Sequence, residues 1–394
     1  MLGPVGPKTV GEMGSGVVKT KPRIVGISDV SIGYGSPEVP ALMDSICRTF
    51  GTSGLLIEPD EISRPPVKWT WDPAFKLERI ASIFPDHTPA WHRHFQSNAL
   101  RKMEAVDPDI LVIFGSSVFT SLMGLRKRPK CIIYHAYEFI SSLGEHDKLA
   151  HEVMIEDVDL VITPEIERLI IDVEGFKRYP EKVAAIYNVA DISYPDPVIS
   201  KPADQRNGRI LWFGTLHRTQ AYADHFLSPS VADIGFDLFG RITDPDPESL
   251  ARKIEAAQNL RYFGVAPAEE LNARRAEAAF SLVWWNPEMN AGAYYLASNR
   301  FFCAVQAGVP PICGPHPQCV DLIHRYGCGL IMPDWSLPSF EATVRDALAL
   351  YKTPAYAEMV ENCAEATRRE FNWGAQYDRI KHQLVDATGL AQVA

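Results

Sequence analysis

An alternation that runs through this chain twice limits what it can fold into. From Lys21 onward, short stretches rich in Ile, Val and Leu alternate with segments of helical period. The spacing predicts strands at Arg23–Ser28, Leu55–Glu58, Ile110–Phe114, Cys131–His135, Leu160–Thr163 and Val183–Tyr187. A second series is predicted at Ile210–Phe213, Phe236–Phe239, Leu260–Phe263, Phe280–Trp284, Pro310–Cys313 and Gly329–Met332. Strands that are apolar throughout and separated by helices imply parallel sheets covered on both faces. Between the two series, around residues 193–208, Pro, Asp and Gly accumulate as in a linker. The expectation is two Rossmann-like doubly wound α/β domains facing across a cleft, with ligands at the carboxyl ends of the strands.

The boundaries expected are a flexible tail at 1–20, a first domain at 21–195, a linker at 196–208, a second domain at 209–370 and a terminal helix and tail at 371–394. A chain of 394 residues fits two cores better than one. The formal net charge of −10 argues against a nucleic-acid partner, which needs clustered Lys and Arg. No apolar run approaches the roughly 18 residues needed to span a bilayer. Seven cysteines without a CxxC pair fit reduced thiols and a cytoplasmic protein.

The first crossover is legible in detail. After RIVGIS comes Gly33-Tyr34-Gly35, then Ser36-Pro37-Glu38, which reads as a helix start with Ser at the cap and Pro at the first position. Val39, Met43, Ile46 and Phe50 recur at helical spacing, and Gly51 ends the run. The glycine loop is not a full GxGxxG, so a dinucleotide fingerprint is not claimed.

The most informative stretch is SNRFFCAVQAGVPPICG, residues 298–314. It resembles the signature segment of GT-B glycosyltransferases of the group 1-like superfamily, through Arg300, Ala307, Gly308, Pro310 and Ile312. The resemblance implies that the helix start faces the diphosphate and ribose of a nucleotide-sugar donor. A helix N-terminus favours anions, and Arg300 adds a bidentate phosphate clamp, with Asn299 as cap or nucleotide contact. Many members carry a Glu five residues before the Gly, where this chain has Cys303; Tyr295 stands eight residues earlier, and Glu288 is the nearest acid. Retaining and inverting outcomes both remain open.

Other segments agree in order. ILWFGTLHRTQ (210–220) resembles the first donor-domain strand and loop, where Gly214 admits phosphate and Arg218 or His217 neutralises it. FDLFGR (236–241) and LRYFGVAPAEELNARRAEAAFSLVWW (260–285) resemble later strands, and IYNVAD (186–191) the end of the first domain. FNWGAQYDRI (371–380) resembles the final helix that crosses back to the N-terminal domain. Gly35 matches the glycine loop over the donor, with a plain turn as the alternative. In IIYHAYEF (132–139), His135 and Glu138 leave a strand toward the cleft as candidate catalytic residues.

Three segments carry paired readings. WTWDP…WHRHF, residues 69–95, lines an acceptor site or is an amphipathic surface. Arg126-Lys127-Arg128-Pro129-Lys130 is a solvated loop or a peripheral membrane contact. Cys313, His316, Cys319, His324 and Cys328 contain enough soft ligands for zinc, in a spacing that matches no zinc module.

The resemblance therefore implies transfer of a sugar from a nucleotide diphosphate sugar to a hydroxyl on a glycan, lipid-linked sugar or small metabolite, without a bound metal or other cofactor. The alternatives are a sugar-nucleotide epimerase or hydrolase on the same scaffold, and a non-catalytic binding or scaffold protein.

Overall fold

The computed structural model describes residues 21–32, 37–61, 71–86, 88–140, 145–189 and 201–390. The expected tail at 1–20, the Gly33–Gly35 loop, Ser36, Trp69 and part of the 196–208 linker lie outside the described residues.

The first domain is built on β1 (Ile24–Ser28), β2 (Gly54–Pro59), β3 (Phe75–Ile80), β4 (Ile110–Phe114), β5 (Cys131–His135), β6 (Leu160–Thr163) and β7 (Val183–Ala185). They form a parallel sheet in the order β3-β2-β1-β4-β5-β6-β7. The second domain is built on β8 (Ile210–Phe213), β9 (Phe236–Phe239), β10 (Leu260–Gly264), β11 (Phe280–Val283), β12 (Pro311–Cys313) and β13 (Leu330–Ile331), in the order β10-β9-β8-β11-β12-β13. Each sheet reverses its order once, at β1/β4 and at β8/β11. Strands that diverge at such a point leave a crevice beyond their carboxyl ends, where ligands of doubly wound folds bind.

Only β3 escaped the sequence reading. It is an edge strand paired with β2 alone, and its FKLERI alternation buries just Phe75 and Ile80. A half-covered strand carries charge on its open face, so no continuous apolar run marks it.

The helices are α1 (Glu38–Thr49), α2 (Pro89–Val106), α3 (Glu145–Met154), α4 (Ile166–Val173), α5 (Pro247–Ala256) and α6 (Ala268–Glu277). They continue with α7 (Ala291–Tyr294), α8 (Asn299–Gln306), α9 (Pro317–Tyr326), α10 (Leu337–Leu350), α11 (Pro354–Arg369) and α12 (Trp373–Thr388). Helix α1 starts one residue later than expected. Pro37 flanks it at φ −65° and ψ −24°, and Glu38 is its first residue.

Helix α12 crosses back to the first domain. Trp373 Nε1 donates to Ser45 Oγ at 2.8 Å, and the Tyr377 and Thr49 hydroxyls lie 2.6 Å apart. Gln376 Oε1 accepts from the Tyr187 backbone N–H at 2.8 Å. Val39, Met43 and Ile46 of α1 share one apolar core with Phe301, Phe302, Trp373 and Tyr377. The two sheets are thus tied through buried side chains, each worth about 1.5–3 kcal/mol when fully covered.

The basic run 126–130 sits at the opposite edge from the strand carboxyl ends. Lys127 pairs with Asp107 at 2.8 Å, Arg128 with Asp159 at 2.8 Å, Lys130 with Asp109 at 2.9 Å and Arg126 with Glu104 at 3.8 Å. The run therefore presents matched charge, which fits the solvated-loop reading over a lipid contact.

Candidate active site

The β8/β11 switch point is occupied by Arg300. Helix α8 positions it: Ser298 flanks the helix in extended backbone (φ −84°, ψ 119°), and Gly308 closes the helix at φ 68°. Phe301, Phe302 and Val305 are locked in the shared core, so α8 cannot roll. Arg300, the second helical residue, is 9% exposed. Its guanidinium lies 4.5 Å from the Trp212 ring centroid and 5.3 Å from that of Trp285. Nη2 donates to the Trp284 carbonyl at 3.4 Å, while Nη1 has no partner among the described residues. Burial pulls the group down to about 10, which leaves it charged at neutral pH. A buried cation with an open donor is expensive unless an anion arrives.

Gly214 provides the approach. It follows β8 at φ +137°, a conformation that side chains disfavour, and a Cβ there would lie 3.4 Å from Arg300 Nη1. Its carbonyl fills the place of a side chain at Gly240 (φ +128°), so the crest of the sheet is bare backbone. The N-terminus of α8, whose flanking Ser298 makes no side-chain cap bond, brings the positive end of its dipole to the same place. Asn299 takes the first helical position, and the cap position expected for it belongs to Ser298.

The other donor-side candidates have partners in and beside their own loops. Arg218 is already matched: Nη1 meets Asp244 Oδ1 at 2.5 Å, Nε meets Asp224 at 3.4 Å, and its backbone N–H donates to Asp244 Oδ2 at 3.0 Å. The acid of the loop after β9 therefore holds the guanidinium in place. His217 turns into its own loop, where Nδ1 accepts from the Thr219 and Gln220 N–H groups at 3.0 and 3.2 Å. Glu288 is exposed, and its backbone N–H donates to Asn286 Oδ1 at 3.0 Å.

On the first domain, the two candidates differ in exposure: His135 is enclosed and Glu138 lies open. His135 is 1% exposed, it stands edge-on to Phe114, and neither ring nitrogen has a partner among the described residues. Burial pushes its imidazole down to about 3, so it is neutral. The Phe114 and Tyr137 rings stand against the imidazole, with centroids 6.0 and 5.5 Å away. Three residues on, Glu138 reaches the cleft.

A cavity of about 290 Å³ lies there between the domains. Glu38, Glu138, Phe139, Arg168 and Asn188 form its first-domain wall, and Trp285, Asn290 and Leu296 stand opposite. Trp285 belongs to both places, lining the cavity and stacking on Arg300. Glu38 is 2% exposed, and its Oε2 has no partner among the described residues. Burial raises its carboxyl to about 8 and also raises that of Glu138. Arg168 donates to the Tyr137 carbonyl at 3.1 Å and covers the Phe139 ring at 4.8 Å. The sequence reading took Glu38 only as a helix-favouring acid; its place just after the glycine loop at the end of β1 was the available signal. Arg168 and Trp285 carried no such signal. The 69–95 stretch supplies none of the cavity's lining residues, and Trp91 and Phe95 are buried in the first domain.

The zinc reading does not assemble. Among the described residues, no three His, Cys, Asp or Glu side chains come together as metal ligands. His316 uses both nitrogens internally, with the Trp285 N–H at 3.2 Å and the Tyr294 carbonyl at 3.1 Å. No described helix is long and apolar enough to cross a membrane.

No protein-family model matches the chain, and no curated protein matches it in sequence. Solved structures do match it in shape. Sucrose-phosphate synthase from Thermosynechococcus elongatus superposes with a TM-score of 0.70 at 15% identity, over 93% of this chain and 100% of that one. HepE of Anabaena, in complex with UDP-glucose, gives 0.67 at 14% identity over 93% and 100%. WaaG, a glycosyltransferase involved in lipopolysaccharide biosynthesis, gives 0.63 at 13% identity over 93% and 100%. With its two switch points, shared core and returning helix, the chain has the GT-B fold.

Proposed function

We propose that this protein transfers a sugar from a nucleotide diphosphate sugar to a hydroxyl acceptor. The observation that carries the reading is Arg300, a buried, charged guanidinium with an open Nη1 beside Gly214 at the β8/β11 crest. The UDP-glucose complex of HepE supports it as a likeness of fold.

In this reading the acceptor oxygen attacks the anomeric carbon and the bond from that carbon to the diphosphate oxygen breaks. The electron pair stays on the diphosphate, where Arg300 and the α8 N-terminus stabilise it. The acceptor proton passes to Glu138, which reaches the cavity from the first domain. Trp285 stands between donor and acceptor as a common wall. The leaving-group charge thus falls to the guanidinium and helix dipole, so the reading needs no divalent ion. A hydrolase would use water in place of the acceptor; a cavity of about 290 Å³ beyond Arg300 favours transfer.

Thermal unfolding against UDP, GDP, ADP, TDP and CMP, with and without EDTA, tests the reading. A ligand at 100 times its dissociation constant stabilises by about 2.7 kcal/mol. A shift with one nucleotide, unchanged by EDTA, is expected. No shift with any of them at millimolar concentration would remove the diphosphate site and leave the non-catalytic reading.

A further inference from the structure

The cavity between the domains reaches the start of α8. Leu296 and Ala297, which lead into that helix, line it together with Trp285, whose ring also lies against Arg300. From the first domain comes Glu38. It is 2% exposed, and its Oε2 has no partner among the described residues. Glu38 faces Cys303 of α8 closely enough to raise that thiol. Residues three apart share a helix face, so Cys303 and Arg300 look the same way. A buried carboxyl oxygen without a partner thus stands on the side of the cavity where Arg300 keeps its open Nη1.

A carboxylate in that position would repel a diphosphate, whereas a carboxylic acid has an O–H to give. The surroundings favour the acid. Burial raises the Glu38 carboxyl to about 8, and Glu138, which faces it, pushes the same way. At Glu138 the neighbouring Arg168 works against the rise. That cation sets the two carboxyls of one cavity apart, and the proton stays on Glu38. A buried polar group without a partner is costly, and a ligand oxygen that accepts its hydrogen bond removes the cost.

We propose that Glu38 is a further catalytic residue, a neutral acid that donates a hydrogen bond to the diphosphate oxygen from which the sugar departs. The inference rests on the transferase reading and adds a donor from the first domain to the cation and helix of the second. Glu38 keeps its proton throughout. Its hydrogen bond strengthens as charge builds on the departing oxygen, as for any preorganised donor aimed at a developing anion. The acceptor proton passes to Glu138 as before, so no proton changes hands at Glu38.

Calorimetric titration of the full chain from pH 7 to pH 9 tests this, with the nucleoside diphosphate chosen by the unfolding panel. In wild type, affinity is expected to fall by up to about tenfold across that range as Glu38 ionises. Arg300, at about 10, stays mostly charged throughout. Glu38→Gln, whose amide still donates but cannot ionise, is expected to show no such fall. Glu38→Leu, which has no donor, is expected to lower kcat at pH 7 by about 10²–10³, as loss of one oxyanion donor does. A wild-type affinity that is flat with pH, or that falls equally in Glu38→Gln, overturns the proposal. So does a folded Glu38→Leu protein whose kcat stays within about threefold of wild type. Either result, with the diphosphate still bound, leaves the transferase reading standing. Binding of no nucleotide by wild type would remove that reading and this inference with it.

Discussion

The two switch points have the same topology and opposite chemistry. At the first, Asp29 follows β1 and is satisfied locally, by Ser117 Oγ at 3.0 Å, Ser117 N–H at 3.3 Å and the Tyr137 hydroxyl. Glu58 and Glu61 hold the following loop through the Ile32 and Ser31 N–H groups, at 2.6 and 2.8 Å. At the second, Gly214 leaves the crest bare, and the cation behind it keeps an open donor. One crest is acidic and internally paired, whereas the other is cationic and incomplete. The fold places two crevices against each other, and their side chains set them apart in charge.

Removing the acid from the first side should have the largest effect on chemistry. Glu138→Gln keeps the shape but cannot take a proton, so kcat is expected to fall by about 10²–10⁴ with donor affinity preserved. Initial rates at saturating donor read this out, and a loss below tenfold would strip Glu138 of the base role.

The crest glycine comes next. Gly214→Ala forces a side chain into φ +137° and toward Arg300, so a stability loss of about 1–3 kcal/mol is expected together with weaker nucleotide binding. Denaturant unfolding and a nucleotide titration separate the two effects. Unchanged affinity in a folded variant would mean that no ligand passes over Gly214.

A pH series sharpens the acidic side. The Glu38 carboxyl is held near 8 in the fold, against 4.5 when exposed. Below the lower value both folded and unfolded chains carry the proton, so wild type and Glu38→Gln should melt alike. Between the two values the unfolded chain ionises first, and wild type loses stability as pH rises. The advantage of Glu38→Gln should therefore grow from pH 5 to pH 9. Parallel melting curves across that range would contradict a buried, proton-holding Glu38.

Arg218 should matter least to binding. Because Asp244 and Asp224 already match it, Arg218→Ala is expected to lower the melting temperature but to change nucleotide affinity less than about threefold. A tenfold loss would restore it as a phosphate ligand.

These contrasts also separate what was legible in the chain. Ile110–Phe114 and Ile210–Phe213 are central strands with apolar side chains on both faces, and their runs read directly. The fold followed from such runs, as did the places of Arg300, Gly214 and Glu138, because a helix start and two strand ends lie within a few residues of them. Edge strand β3 hid behind its charged open face. The pairing of Arg218 was not legible, because its partner Asp244 is 26 residues away and belongs to the next loop. The burial of His135 was not legible, because a strand end does not reveal whether its last side chain meets solvent or other rings. Arg168 and Trp285 line one cavity from different domains, a relation that no local spacing records.

The most direct test of the central claim is a calorimetric cycle on wild type and Arg300→Met. Each is titrated with the nucleoside, its monophosphate and its diphosphate, using the base chosen by the unfolding panel. In wild type the diphosphate should bind far more tightly than the nucleoside. In Arg300→Met that gain should collapse by about 10- to 100-fold, the worth of a charge-assisted hydrogen bond of about 1.5–3 kcal/mol, while the free variant stays as stable as wild type or becomes more so. An undiminished diphosphate gain in a folded Arg300→Met protein would contradict the account, because the buried guanidinium would then not be the phosphate ligand.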